Sequence, residues 1–240
     1  MNARELLKAG KLNEAVQALG AEVRDNPSDA QRRIFLFELL CFAGDYERAN
    51  KHLEILGEGS AQTQMGALLY RGALAADRTR QEMFEKREFP TGPAPTAALS
   101  GTLNGKPFTS LTDADPRIGA RLEVFVAGSY AWIPFQHIAS IEIEPPKRLR
   151  DLLWTPAMVH TGPSFEGKEL GEILLPALSA LTWKHGADAV RLGRATVWED
   201  EPETGESVPL GQKMLLVDDE ELPILELRKL EIAVTDGKAS

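Results

Sequence analysis

Residues Gly10-Lys11-Leu12-Asn13-Glu14-Ala15 return 34 positions later as Gly44-Asp45-Tyr46-Glu47-Arg48-Ala49. A glycine, a leucine or aromatic two places on, and an alanine five places on recur together, which is the period of tetratricopeptide repeats. Each position has a physical reason. Glycine lets the chain turn between two antiparallel helices, Leu12 or Tyr46 plugs the gap between them, and Ala15 or Ala49 allows close helix approach. Pro27 ends the first helix pair. The second helices continue with core spacing at Val16, Leu19 and Val23 and at Leu53 and Leu56. Residues 34–40 are apolar almost all round, as a helix sandwiched between neighbours must be. A weaker third unit is expected as a helix over 62–76, with Met65, Leu68, Leu69 and Leu74 inward, and another over 78–88, as a cap on the stack.

Phe89-Pro90-Thr91-Gly92-Pro93-Ala94-Pro95-Thr96 then forbids a helix and favours an extended connector. It divides the chain into a helical part (1–88), a linker (89–98) and a strand-rich part (99–240). Downstream, Leu122, Val124 and Val126 alternate with Glu123, Phe125 and Ala127. Gly128-Ser129, before Tyr130-Ala131-Trp132-Ile133, predicts a hairpin with a type II′ turn. Further strands are expected at 138–144, 152–160, 172–175, 189–198, 213–217 and 222–233, with short helices near 147–153 and 177–184. The fold class that follows is α+β: a tetratricopeptide-like helical domain followed by a mostly antiparallel, β-rich α+β domain.

Charge and composition remove several classes. The net charge is −9 over 240 residues, and it is uneven: 1–90 carry 13 basic and 14 acidic residues, 91–240 carry 14 and 22. A phosphate backbone needs a basic stripe, and the only such cluster in the second part, Lys147-Arg148-Leu149-Arg150, is followed at once by Asp151. No nucleic-acid partner is expected. No stretch approaches the roughly 18 apolar residues of a membrane span, and the charged start, Met1-Asn2-Ala3-Arg4-Glu5, carries no apolar signal core, so a cytoplasmic protein is expected. The single cysteine, Cys41, excludes an internal disulfide and a cysteine-based zinc site. Its apolar helical setting reads as a small buried hydrophobe, a reactive thiol being the other reading.

Candidate sites are few. Gly162-Pro163-Ser164-Phe165-Glu166-Gly167-Lys168 spells the start of a phosphate-binding loop, but Glu169 stands where a hydroxyl must hold magnesium and Pro163 lacks a donor. A plain loop is expected. His52, His137, His160 and His185 are scattered without metal-ligand spacing, so neither a metal nor a cofactor is expected. No nucleophile elbow or dinucleotide turn occurs, and no catalytic residues are assigned. Asp113 and Asp115 could pair carboxylates for acid–base work, though Pro116-Arg117-Ile118-Gly119 supplies a turn and a counter-charge. The acidic runs at 199–203 and 218–221 read as solvated loops. In the helical part, stacked pairs make a concave surface suited to a partner helix or peptide. Repeat register places Gln31, Ile34, Glu38 and Cys41 along it.

Four segments carry a resemblance spanning nearly the whole chain in order. They are Arg33-Ile34-Phe35-Leu36-Phe37-Glu38-Leu39-Leu40-Cys41-Phe42-Ala43-Gly44-Asp45; Asp113-x-Asp115-x-Arg117-x-Gly119 leading to Leu122-Glu123; Gly128-Ser129-Tyr130-Ala131-Trp132-Ile133-Pro134-Phe135; and Leu149-Arg150-Asp151-Leu152-Leu153-Trp154. Together they resemble the ImpE family, also called TagJ or SciE. Thr196-Val197-Trp198 departs from the Thr-Glu-Trp of that family. The resemblance implies an accessory protein of the bacterial type VI secretion system. Such a protein is a tetratricopeptide adaptor without assigned enzymatic activity that binds the small subunit of the contractile sheath and is linked to sheath disassembly by the ClpV AAA+ ATPase. It carries over no established functional residues. In the Arg150-Asp151-Trp154 block, Trp154 is expected in the core and Arg150 with Asp151 as a structural polar pair, a partner-facing role being the alternative.

Two functions follow as expectations. The first is a non-enzymatic adaptor docking a sheath subunit on its repeats. The second is a ligand-binding or enzymatic C-terminal domain with a site near Asp113, Asp115, Arg117 and Trp132, which a deep polar pocket around those side chains would favour.

Overall fold

A computed structural model describes residues 1–59, 61–90, 95–96, 98–165, 167 and 169–233, with the side chain of Gln62 excepted. Half of the expected connector (91–94 and 97), and Glu166 and Lys168 of the phosphate-loop look-alike, lie outside these residues. The helices are α1 (Ala3–Lys8), α2 (Leu12–Asp25), α3 (Ala30–Phe42), α4 (Tyr46–Gly57), α5 (Ala61–Lys86) and a single turn, α6 (Asp188–Arg191). Local chemistry starts three of them. Asn2 and Glu5 form a reciprocal capping box on α1, Asp29 accepts from Arg32 N at 3.0 Å on α3, and Asp45 accepts from Arg48 N at 3.3 Å on α4. The start of α2 has no side-chain cap of its own; its Leu12 N–H donates to the Asp188 carboxylate at 2.7 Å, from far along the chain.

The apolar run on α3 is buried as expected, with Leu36, Phe37, Leu39, Leu40 and Phe42 at its centre. The two helices expected beyond residue 62 are one continuous α5, because nothing between Leu74 and Arg78 breaks a helix. Of its four expected inward residues only Leu74 is buried. Met65, Leu68 and Leu69 are 62%, 63% and 69% exposed, because no helix follows to cover the outer face of α5 near its start.

The strands are β1 (Gly101–Leu103), β2 (Lys106–Phe108), β3 (Leu111–Asp113), β4 (Arg121–Val126), β5 (Ser129–Pro134), β6 (Ile138–Ile143), β7 (Trp154–Thr161), β8 (Gly171–Pro176), β9 (Val197–Asp200), β10 (Ser207–Leu210), β11 (Met214–Val217), β12 (Glu220–Pro223) and β13 (Lys229–Ile232). The main sheet runs β2-β1-β13-β6-β7-β8-β4-β5; smaller sheets run β12-β11-β3 and β10-β9. Neighbouring strands pair antiparallel throughout, so the architecture is α+β. Leu111, Val124, Phe135, Ile141, Val159, Leu175 and Leu230 form the centre of the sheet core.

Three local expectations are corrected. The β4–β5 turn is Ala127-Gly128 and not Gly128-Ser129, since Val126 pairs with Ser129. Both turn residues have positive φ, 50° and 80°, the mark of a type I′ turn, whose twist matches the strands. The expected strand at 189–198 starts instead as α6 and becomes β9 only at Val197, because Asp188 and Arg191 are tied to the first helices. The expected strand at 222–233 is two strands in different sheets, separated by a 3-10 turn at Ile224–Glu226 that follows Pro223.

The helical and sheet parts share a core. Phe125, Leu153, Trp154 and Leu192 are buried in the same cluster as α1 to α5, and the rings of Phe37 and Trp154 lie 6.1 Å apart. Residues 183–194 lie along the turns of the repeats. Arg194 donates to the carbonyls of Leu7 (2.6 Å) and Lys8 (3.0 Å) at the end of α1, and Arg191 donates to Asn13 (3.0 Å) and to the Ala43 carbonyl (3.3 Å). A Cβ on Gly44 (φ 73°) would stand 2.4 Å from the Trp183 ring, and one on Gly10 (φ 76°) would stand 3.3 Å from Arg194 Nη1. Both repeat glycines therefore turn the chain and also receive a side chain from the far end of the sequence.

Candidate functional site

The alternative site of the sequence reading is a solid, charged knot. Asp113 and Asp115 are only 3% and 1% exposed. Arg117 grips Asp115 through Nε (2.8 Å) and Nη2 (2.6 Å), reaches Glu201 at 3.2 Å, and lies 4.8 Å from the centre of the Phe84 ring. Trp132 packs against both Phe84 and Phe89, at 6.0 and 5.9 Å, and donates to the Tyr130 hydroxyl, which in turn donates to Glu123. The polar groups of these side chains are engaged within the chain, Asp113 by Lys213, Asp115 by Arg117 and Trp132 by Tyr130.

At the centre are three residues the sequence reading passed over. Arg80 of α5 donates to both oxygens of Glu123 (2.7 and 2.9 Å) and to the Leu178 carbonyl at 3.0 Å, while Lys213 bridges Glu123 and Asp113. All are buried. Burial alone would raise the Glu123 carboxyl, yet Arg80 and Lys213 hold it well below the usual carboxylate range. Burial pushes Asp113 up to about 7 against the pull of Lys213. The available signal was Glu123 itself, a charge in a strand whose neighbours Leu122, Val124 and Phe125 are apolar. It faces α5, which covers that side of the strand.

Beside this knot the same helix anchors the core. Asp77 accepts from Trp154 Nε1 at 3.2 Å and from Gln81 at 3.0 Å, and Gln81 accepts from Leu181 N–H at 2.8 Å.

The four residues placed on the repeat face have different fates. Gln31 is exposed and lines an open hollow with Arg4, Arg32 and Phe35; Ile34 is half-buried. Glu38 and Cys41, at 8% and 3% exposure, are covered by other parts of the same chain. Cys41 sits with Leu153 and Trp154 in the shared core, and burial raises its thiol well above the ordinary value, as expected of a small buried hydrophobe. The surface still open at this face is the Gln31 end of α3.

Glu38 is a distinctive group there. Burial pushes its carboxyl up to about 7, against the pull of Arg150, Arg148 and Arg4 and with a push from Asp151. The linkage has a definite sign. Below about pH 4.5 Glu38 is neutral in both folded and unfolded chains and costs nothing. Between 4.5 and 7 the unfolded chain ionises first, so stability falls as pH rises and the full cost stands above 7. Glu38→Gln is expected to be more stable than the parent by roughly 2–3 kcal/mol at pH 8, with the gap nearly closed at pH 4. Urea melts at the two pH values check this; a gap that does not change with pH would refute it.

Against known proteins, the chain is similar to the type VI secretion system accessory component TagJ of Pseudomonas aeruginosa, with 36% identity covering 99% of this chain and 93% of that protein. Residues 105–231 match the family described as ImpE protein. The chain belongs to the ImpE family. Its fold is that of a crystal structure of the Vibrio parahaemolyticus protein VPA1032, with a TM-score of 0.83 at 24% identity, covering 96% of this chain and 97% of that one.

Within this ImpE chain the Leu149–Trp154 block has a clear structural logic. The Asp151 carboxylate accepts from the backbone N–H groups of Lys147 and Arg148, each at 2.9 Å, and so sets the 3-10 turn at Leu149–Leu152. Trp154 is buried against Phe37, as expected. Arg150 and Asp151 form a long ion pair at 3.8 Å, as expected, and the Arg150 guanidinium also rests 4.8 Å from the centre of the Tyr70 ring on α5. Among the described residues no cluster of His, Cys, Asp and Glu is arranged to hold a metal, and no helix is long and apolar enough to cross a membrane.

Proposed function

We propose that this ImpE-family chain is a non-enzymatic accessory component of a type VI secretion system. It acts in the cytoplasm as an adaptor that binds the small subunit of the contractile sheath and links it to disassembly by the ClpV ATPase. The observation that carries the reading is its 36% identity to the Pseudomonas aeruginosa accessory component TagJ along 99% of the chain. The helical part, residues 1–88, presents the docking face around Gln31 and Ile34. The sheet part, residues 99–240, braces it through the shared core and the Arg80 knot. The second reading, a ligand site at Asp113, Asp115, Arg117 and Trp132, is less supported, because Asp113 and Asp115 are buried and taken up by Lys213 and Arg117.

The direct test is binding of the purified full chain to the purified small sheath subunit, followed by calorimetry or interferometry. The expected result is a stoichiometric complex weakened about tenfold, or roughly 1.4 kcal/mol, by Gln31→Ala combined with Ile34→Ala. Full chains are needed because the helices share their core with β7 and the residues after it. No complex between the two proteins would overturn the adaptor reading.

A further inference from the structure

The face around Glu38 gathers three arginines from two distant stretches of sequence. Arg4 comes from α1; Arg148 and Arg150 come from the turn before β7. All three act on the Glu38 carboxyl. Arg4 lies 5.0 Å from the centre of the Phe35 ring and Arg150 lies 4.8 Å from that of Tyr70. A guanidinium beside an aromatic ring is attracted to it, and its planar fork of N–H donors matches a carboxylate.

These arginines hold few partners within the chain, unlike most around them. Neighbouring Arg32 is taken by Asp29 and Glu22, Arg33 by the Pro27 carbonyl, Arg48 by Asp45 and Arg78 by Glu47. Among the described residues Arg4 and Arg148 make no ion pair, and the Asp151 carboxylate 3.8 Å from Arg150 is already engaged by two backbone N–H groups. Glu38, a single buried carboxylate, offsets at most one of the three positive charges. A local excess of positive charge thus stands on a chain of net charge −9, beside the half-buried apolar surface of Phe35.

We propose that Arg4, Arg148 and Arg150 form the receptor for an acidic segment of a partner protein, whose carboxylates pair with the guanidiniums while its apolar side chains rest on Phe35. This rests on the adaptor reading and deepens it, naming the chemistry of the partner segment. The overall negative charge of the chain disfavours a nucleic acid, which would meet repulsion everywhere beyond this patch.

The test uses the full chain, its Arg4→Glu/Arg148→Glu variant, and Lys11→Glu as a control for net charge at a distant exposed site. Binding to the purified small sheath subunit is measured at low and high salt, and each variant's thermal melt is compared with the parent's. The expected result is a loss of at least about tenfold for the double variant, strong weakening by salt, and little change for Lys11→Glu. If the parent binds and the double variant binds equally well, the receptor is overturned and the adaptor reading stands. If the parent does not bind the subunit, the adaptor reading falls and a poly-glutamate peptide decides the receptor: capture abolished by Arg4→Glu/Arg148→Glu supports it, and no capture overturns it. Patch-dependent capture of a DNA oligonucleotide in preference to poly-glutamate also overturns it.

Discussion

Glu123→Ala is expected to destabilise the protein by about 3–5 kcal/mol, the largest loss from any single charged residue here. The carboxylate is fully buried and receives Arg80, Lys213 and Tyr130. Removing it leaves two cations away from water, with only Asp113 and Asp77 nearby to balance them. Arg80 sits on α5 and Glu123 on β4, so the loss should loosen the helical part from the sheet as well as lower the melting temperature, by roughly 10 °C. Urea unfolding of the parent, Glu123→Ala, Arg80→Ala and the double variant measures it. Because the two residues share one ion pair, the double variant should lose much less than the sum of the singles. A loss below about 1 kcal/mol for Glu123→Ala, within the range of an exposed pair, would show that the knot does not hold the parts together.

Gly44→Ala is expected to cost about 2–5 kcal/mol, from two sources that can be separated. A left-handed backbone, here φ 73°, costs an L-residue about 1–2 kcal/mol. The new methyl would also stand 2.4 Å from the Trp183 ring, which must move or leave, and overpacking of this kind costs about 1–3 kcal/mol. Trp183→Ala in the same chain removes the clash and leaves the strain. The two substitutions together should therefore cost less than their sum, and a cycle of four melts reads the difference. At Gly105, also of positive φ but with open space around it, the alanine variant should show the strain alone. Equal losses at Gly44 and Gly105 would refute the docking role of Trp183.

The two predictions mark where sequence reasoning reached and where it stopped. Gly44 was legible as a turn, because its 34-residue partner Gly10 announced a helix pair. That it also receives Trp183 was not legible, since nothing local links residues 44 and 183. Leu122, Val124 and Val126 were legible as one side of a strand, but the burial of Glu123 on the other side was not, because α5, distant in sequence, closes that face. Met65, Leu68 and Leu69 failed for the converse reason: helical spacing says which residues share a face, and only a neighbouring helix makes that face a core. On the repeat face, register placed Gln31, Ile34, Glu38 and Cys41 on one helix, while the Leu149–Trp154 block and the shared core decided that only its Gln31 end meets solvent. The arginines that gather there come from residues 4, 148 and 150 and could not be seen together in one dimension.

Local information was enough for the hairpin near Gly128, the apolar sandwich helix and the α+β class, because turns and periodicity act over a few residues. Four linked segments in order were also enough for the family. The tertiary structure alone decided the cap on Leu12 by Asp188, the pairing of Arg80 with Glu123, the filling of both repeat glycines and the grouping of Arg4 with Arg148 and Arg150. Each of these joins residues far apart in the chain, and whether a charge there is solvated, paired or left available depends on what packs over it.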